Sequence, residues 1–468
     1  MVIAEIADTV GRAFGSVTGP LSDTVVRLGV TGLSRAGKTV FITSLVANLM
    51  DRGRMPGLRA ATEGRILSAF LQPQPDDTVP RFDYETHLAA LTGPAPHWPE
   101  GTRAVSELRL SFKVRDTGMV GSLRGPRTVH LDIVDYPGEW LLDLGLMGQD
   151  YAGWSADVLA RIADRAEAAG FRAQLERADP AARFEETAAR DLAAAFTAYL
   201  HAARAAGFSD CTPGRFLLPG EMAGSPALTF APLPAGAGSS GRGTLGREMA
   251  RRFEAYKAKV ALPFFRDHFA RIDRQVVLMD ALGAIHSGPP AVEDMRRAMA
   301  GILTAFRPGR VGWLAGLLGV KRVERILFAA TKADHLHHSQ HARLTAIMAA
   351  LVREAKDRAD FAGADTAAMS IAALRATVEE SVSHGGTTLD CVRGRLLSSG
   401  KDAALYAGEL PATPSALLHP AREGARGWLD ADYQVMDFAP AVLKLRPGEG
   451  PPHVRLDRAA EFLFGDRL

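Results

Sequence analysis

The chain has 468 residues, 47% of them hydrophobic, with a formal charge of +2 and two cysteines. That length suits two or three modules with sizeable cores, and the near-balanced charge excludes a global field for nucleic acid or an anionic membrane. Cys211 and Cys391 make no disulfide framework and point to a reducing, cytoplasmic setting; no window of about 18 uncharged apolar residues predicts a spanning helix.

Residues 1–24 read as a short helix and linker, without the basic flank and apolar core of a signal peptide. Val25, Val26, Leu28 and Val30 form a short buried strand. Gly32-Leu33-Ser34-Arg35-Ala36-Gly37-Lys38-Thr39 follows, matching G-x-x-x-x-G-K-[ST], and residues 40–46 open a helix. Between strand and helix this string is a phosphate loop. Its glycines let main-chain amides turn toward an anion, and the helix start adds unpaired N–H groups and a positive dipole end. The amides of Ser34, Arg35, Ala36 and Val40 belong to the same cradle. Lys38 is expected to reach the β and γ phosphates, and Thr39 to offer its hydroxyl to Mg²⁺.

Residues 51–104 carry Pro73, Pro75, Pro80, Pro94, Pro96 and Pro99, a spacing that argues against long helices and central strands. Residues 105–114 and 128–134 alternate or run apolar and predict an antiparallel pair. From about 150 to 270 the composition turns to alanine, arginine and glutamate, predicting a helical insertion. Asp179, Pro180 and Gly207 punctuate one long helix, with Phe184, Ala188, Leu192, Phe196, Leu200 and Ala203 as its apolar stripe. Residues 219–243 read as a flexible loop and 245–269 as another helix. Apolar runs at 274–282, 323–330 and 367–372, with a helix over 292–306, predict strands covered on both faces. The fold class is therefore α/β: a mostly parallel sheet with helices on both faces, split into core segments 25–149 and 271–375 by the insertion. Residues 376–468 predict a small α+β region ending in a helix over 456–464.

Two further strings carry chemistry. Asp135-Tyr136-Pro137-Gly138 ends the strand 128–134. Its carboxylate emerges where Mg²⁺ would sit, and Gly138 can approach a γ-phosphate through its N–H. Thr331-Lys332-Ala333-Asp334 ends the strand 323–330 and matches [NT]-K-x-D. A carboxylate there accepts from N1–H and the 2-amino group of guanine; adenine has neither donor, and a buried unpaired carboxylate is costly. A main-chain donor to guanine O6 belongs after the next strand, where Ala372 and Ala373 stand.

Together and in this order the motifs resemble the translation-factor-related P-loop GTPases. LDIVDYPGEWLLDL (131–144), ILFAATKADHLHH (326–338), the closing VRLDRAAEFLFGDRL and the scattered match QPQPDDTVPRFDYE (72–85) resemble the bacterial YcjX-like family of stress-associated P-loop proteins. The resemblance implies a Ras-like nucleotide domain, GTP and GDP as ligands with Mg²⁺, hydrolysis of GTP, and an unidentified protein effector. It carries over Gly32, Gly37, Lys38 and Thr39 as the phosphate and metal site, Asp135 and Gly138 as the switch sensor, and Thr331, Lys332 and Asp334 as the guanine reader. Thr102 is the expected first-switch threonine on Mg²⁺, with Thr78 and Thr86 as alternatives. Glu139 stands where a water-positioning glutamine is usual, so it either takes part in catalysis or repels the γ-phosphate. Arg35, within the phosphate loop, either neutralises charge in cis or faces solvent. An ATPase carrying the same string, or a nucleotide-binding module with negligible turnover, are the alternatives.

Two weaker signals complete the reading. His335, His337 and His338 cluster with poor metal spacing. The apolar run 311–320, flanked by Arg307, Arg310, Lys321 and Arg322, is too short to span a bilayer but suits peripheral contact with a membrane face.

Overall fold

The computed structural model describes residues 23–33, 35–101, 104–116, 125–234, 241–304, 323–361, 363–428 and 432–468. Ser34, Thr102, the apolar run 311–320 and nearly all of the 1–24 linker lie outside these residues, as do 235–240 of the 219–243 loop.

Seven strands form the central sheet: β1 (Thr24–Gly32), β2 (Ile66–Gln72), β3 (Ser106–Val114), β4 (Arg127–Asp135), β5 (Arg274–Met279), β6 (Arg325–Ala330) and β7 (Asp365–Ser370). Their order is β2-β3-β4-β1-β5-β6-β7. The run β4-β1-β5-β6-β7 is parallel, and β2 and β3 are antiparallel additions at one edge. The expected antiparallel pair is thus β3 with β4, in register from Ser106 opposite Asp135 to Val114 opposite Arg127. The central strands are apolar because both faces are covered: β5 is buried at all six positions.

On one face lies α1 (Lys38–Met50), with Phe41, Ile42, Leu45, Val46 and Leu49 buried beneath it. The same layer holds the C-terminal helix Leu456–Phe464, which brings Leu456, Ala459, Ala460, Leu463 and Phe464 to the core. On the other face one continuous apolar cluster joins the sheet to the insertion. Its centre is aromatic: Trp154 stacks on Phe253 at 5.0 Å and meets Phe230 edge-on at 5.5 Å. A separate three-stranded sheet, β8 (Val378–His384), β9 (Thr387–Arg395) and β10 (Asp402–Leu405), forms the C-terminal region.

Two expectations are corrected. The long insertion helix, α2 (Glu186–Ala205), starts a turn and a half after Asp179. Residues before it are held elsewhere: Phe184 N–H donates to Gly243 O at 2.8 Å, and Asp179 caps only a turn through Ala181 N–H. Ala188 accordingly faces solvent and Ala189 takes the buried position. Gly207, in the left-handed region at φ 96°, ends the helix as expected. The 245–269 helix is broken into α3 (Leu245–Tyr256), a π turn at Lys257–Ala261 and a short helix Leu262–Asp267. Pro263, which has no N–H with which to continue the preceding turns, lies in the first turn of that last piece, where none is required. The proline-rich 51–104 stretch, as expected, holds no long helix or central strand: its edge strand and the helix Tyr84–Thr92 fit between the prolines.

The 292–306 helix is α4 (Pro289–Thr304), which packs on the insertion side. After β6 comes α5 (His341–Leu351), whose Leu344, Ile347 and Met348 join the same layer. Asp132, on β4, is a structural residue: Arg109 donates to its two carboxylate oxygens at 2.6 and 2.8 Å. Both cysteines are free and buried. Among the described residues no helix is long and apolar enough to cross a membrane.

Candidate nucleotide site

The site lies beyond the carboxyl ends of β1, β4, β5 and β6, where β1 sits between two parallel neighbours and the chain leaves toward opposite faces. Among the described residues of the loop from Leu33 to Gly37, Arg35 at φ 61° and Gly37 at φ 75° are left-handed. A Cβ on Gly37 would meet nothing within 4 Å, so dihedral freedom is the reason for glycine there. α1 begins immediately afterwards. It has no side-chain N-cap and no acidic residue in its first turn. Its first amides therefore have no side chain to satisfy them, the local condition for an anion to bind.

Gly138 is glycine for a different reason. A Cβ there would stand 1.9 Å from Gly32 O, so the start of the short helix Gly138–Leu142 that follows Asp135-Tyr136-Pro137-Gly138 (the D-x-x-G helix) rests directly on the end of β1. Asp135 precedes it, 2% exposed and paired in register with Val30 of β1. Thr39 is 6% exposed, and its hydroxyl donates to Glu100 O at 3.5 Å. That contact brings the segment ending at Gly101, just before Thr102, to the phosphate loop. Thr78 is instead exposed and bonded to Asp76, and Thr86 is an exposed residue of a helix.

At the other end, β6 delivers Thr331, whose amide and hydroxyl both donate to Met279 O, at 2.9 and 3.2 Å. Lys332 is left-handed at φ 59°, and its ammonium pairs with Asp280. Asp334 is 5% exposed; one of its oxygens accepts from Ala376 N–H at 2.8 Å, and its carbonyl accepts from the Thr377 hydroxyl. Ala333 N–H donates to Ile371 O at 3.0 Å, which ties this loop to the one after β7.

These pieces converge. One cavity of about 670 Å³ is lined by Arg35, Ala36, Gly37, Lys38, Thr39, Val40, Glu139, Thr331, Lys332, Asp334, Ala372 and Ala373. Gly32, Asp135 and Gly138 are not among its lining residues: Gly138 lies against Gly32 O and Asp135 pairs in register with Val30. One expected role changes: Ala372 N–H donates to Val454 O at 3.0 Å, so that amide is committed and Ala373 alone keeps the part of main-chain donor.

The cavity also contains residues that the sequence did not mark: Trp98, His201, Arg204, Asp437 and Phe438. Trp98 is fixed by an indole N–H bond to Phe438 O at 2.8 Å. A tryptophan inside a proline-rich, otherwise polar stretch was the one available signal. Arg204 comes from α2 and pairs with Glu139 at 2.9 Å. The pairing partner lies in a different segment, so no local pattern reveals it.

The insertion grips the D-x-x-G helix at several further points. Gly214 N–H donates to Asp143 Oδ1 at 2.8 Å, and the Tyr256 hydroxyl donates to the other oxygen. Burial pushes the Asp143 carboxyl up to about 7, opposed by those two donors. Trp140 donates to Leu218 O at 3.0 Å, and the Arg215 guanidinium lies 3.2 Å above the Trp140 ring centroid. Of the three histidines only His335 separates; the rings of His337 and His338 lie 4.3 Å apart. His335 is buried edge-on to Phe438, with burial holding its pKa below the usual value. His337 and His338 face Glu379 and Asp390 on the small sheet.

The model of the YcjX-like family, DUF463, matches residues 26–468. The chain belongs to the YcjX-like family. A relative from Escherichia coli K12, named Ras-like GTPase YcjX, is 39% identical over 460 residues, covering 95% of this chain and 96% of the relative. A relative of the same name from Shewanella oneidensis is 35% identical over 472 residues, covering 96% of this chain and 95% of the relative. The strand order, a parallel run β4-β1-β5-β6-β7 with the phosphate-loop strand inside it and the antiparallel-paired β3 and β2 at one edge, is the Ras-like α/β arrangement those names imply.

Proposed function

We propose that this chain binds GTP and hydrolyses it to GDP and phosphate, and that its nucleotide state is transmitted to the helical insertion. One observation carries the reading: a phosphate cradle and a buried acceptor for a purine edge line opposite parts of a single cavity. The names of the two relatives support it.

At the phosphate end, the main-chain amides of Arg35 and of Gly37 to Val40 and the Lys38 ammonium face the negative charge, while the expected Ala36 amide is committed to Leu33 O at 3.1 Å. Hydrogen bonds to a charged partner are each stabilising by about 1.5–3 kcal/mol. The donor set also fits Mg²⁺, a cation that favours hard oxygens: the Thr39 hydroxyl and the Asp135 carboxylate emerge at the ends of adjacent chain segments, both nearly buried. Thr102 is the proposed third oxygen. When bound, the ion would neutralise charge between the β and γ phosphates.

At the base end, Asp334 is already oriented by the Ala376 amide. Its carboxylate then accepts from N1–H and the 2-amino group of guanine, with Ala373 N–H directed to O6. An adenine would leave the carboxylate facing an acceptor, which favours guanine by orders of magnitude. The Lys332 stem, held by Asp280, and the Trp98 ring are the flat apolar surfaces available to the base.

The switch reading rests on Gly138 and Glu139, which touch the phosphate loop on one side and the insertion on the other. A stress-related process, an effector protein and peripheral membrane contact through 311–320 belong to this proposal as its biological setting. The test is calorimetry with Mg²⁺-GTP against Mg²⁺-ATP, followed by phosphate release under single-turnover conditions. Saturable GTP binding with phosphate release is expected. Equal affinity for ATP overturns the base assignment, and binding without release reduces the chain to a nucleotide-holding module.

A further inference from the structure

We propose that Arg204, supplied in cis by the insertion and positioned by Glu139, is a catalytic residue of the hydrolysis; the inference rests on the GTPase reading above. Four observations lead to it.

First, Glu139 stands at the phosphate end of the cavity. Its neighbour Gly138 is pressed against Gly32 O, whereas the base end is marked by Asp334 and Ala373. Arg204, 2.9 Å from Glu139, is therefore at the phosphate end too. Second, its direction is fixed. It lies in the last turn of α2, whose Phe196, Leu200 and Ala203 are buried in the common core. The helix is closed by the Phe208 N–H bond to Ala203 O at 3.0 Å, which anchors its last turn. Third, His201, one turn earlier, lines the same cavity, so this face of α2 is a wall of the site. Fourth, the Arg204 side chain is only 32% exposed and Glu139 only 8%, so the pair acts where screening by water is weak.

The chemistry needs such a group. In hydrolysis, a water oxygen forms a bond to the γ phosphorus as the bond from phosphorus to the β–γ bridging oxygen breaks. The electron pair leaves on GDP, and the water's protons pass to the released phosphate and solvent. Negative charge rises on the bridging and γ oxygens. A planar guanidinium donates two parallel N–H bonds to adjacent oxygens, which an ammonium does not. Glu139, in the place of a water-positioning amide, is then explained: it holds the arginine beside the phosphates instead of confronting them with a bare carboxylate.

The test uses the full chain, with GTP affinity measured first. Arg204→Ala is expected to bind GTP and GDP within a few-fold of wild type, while the single-turnover rate constant falls by about 10³. It should also lose the GDP–aluminium fluoride complex, which a packing role would leave in place. Arg204→Lys keeps charge and volume and falls at least tenfold; it carries the test should the alanine variant melt early. Glu139→Gln slows less, and the double variant is no slower than Arg204→Ala, as a positioning residue requires. An Arg204→Ala rate within twofold of wild type, with analogue binding intact, overturns the inference and leaves the GTPase reading standing. No GTP binding by wild type sinks the GTPase reading itself. A double variant slower by the product of the two effects gives Glu139 chemistry of its own and overturns the tether.

Discussion

Substituting Gly214 by alanine tests how tightly the insertion is seated on the D-x-x-G helix. A Cβ at this position would stand 1.9 Å from Glu139 O and 2.9 Å from Trp140 N, both main-chain atoms. A carbon–oxygen approach needs about 3.3 Å, so the two backbones must part by more than an ångström. Overpacking of this kind costs about 1–3 kcal/mol. Separation also stretches the 2.8 Å bond from Gly214 N–H to Asp143. Leaving that buried acceptor one donor short costs about 1–3 kcal/mol more, for a total of about 2–6 kcal/mol. Gly170→Ala is the control: it lies in a helix with nothing within 4 Å of its Cβ, and is expected to be neutral or slightly stabilising. Hydrogen exchange by mass spectrometry, with thermal melting alongside, reads both variants. Gly214→Ala should lower the melting midpoint and accelerate exchange over 138–148 and 214–218 while the C-terminal sheet is unaffected. Equal midpoints for the two variants, or unchanged exchange over 138–148, would refute the contact as drawn.

Asp334→Asn is expected to lower GTP affinity at least 100-fold and raise XTP affinity, since the amide presents a donor where xanthine offers an oxygen; competition binding with the two nucleotides reads it. Lys38→Ala should weaken triphosphate binding by about 10–100-fold, the worth of one charged hydrogen bond, with melting unchanged because Lys38 is only partly buried. Asp143 predicts a pH dependence. Its carboxyl is pushed up to about 7 in the fold against about 4 unfolded, so the protonated form favours folding. The contribution is full below about pH 4 and is lost as pH rises toward 7. The wild-type melting midpoint should therefore fall more steeply than that of Asp143→Asn between pH 5 and 7; parallel curves would show that the carboxyl titrates normally.

Local chemistry was legible in the sequence and long-range pairing was not. The phosphate loop, Asp135 and Thr331-Lys332-Asp334 each depend on residue types at fixed spacing beside a strand end, and the strands are where their apolar runs put them. The C-terminal helix Leu456–Phe464 also falls where its pattern places it. Pattern failed where a distant partner decides the outcome. Residues 180–185 have helical punctuation, yet Gly243 takes the Phe184 amide and Thr244 bridges Arg183, so the helix starts late. The Ala372 amide is claimed by Val454, from the far end of the chain. Arg204 looks like any arginine on a solvated helix face until Glu139 is brought beside it.

The way the insertion is joined to the sheet constrains how a switch can work. Leu33, Tyr136 and Trp140 belong to the same apolar cluster as Phe196, Phe216, Phe230 and Phe253. An insertion on a polar hinge would swing freely; this one shares a core with the phosphate loop and the D-x-x-G helix. Close-packed interiors do not deform gradually, so a shift of Gly138 away from Gly32 requires Trp140 to exchange one set of neighbours for another. Arg215 over the Trp140 ring and Leu218 O on its indole N–H are the contacts that must break. Nucleotide-driven motion of the proposed switch should therefore be a two-position rearrangement of residues 138–148 against 214–218, with the rest of the aromatic cluster, locked around Trp154, moving as a body or not at all.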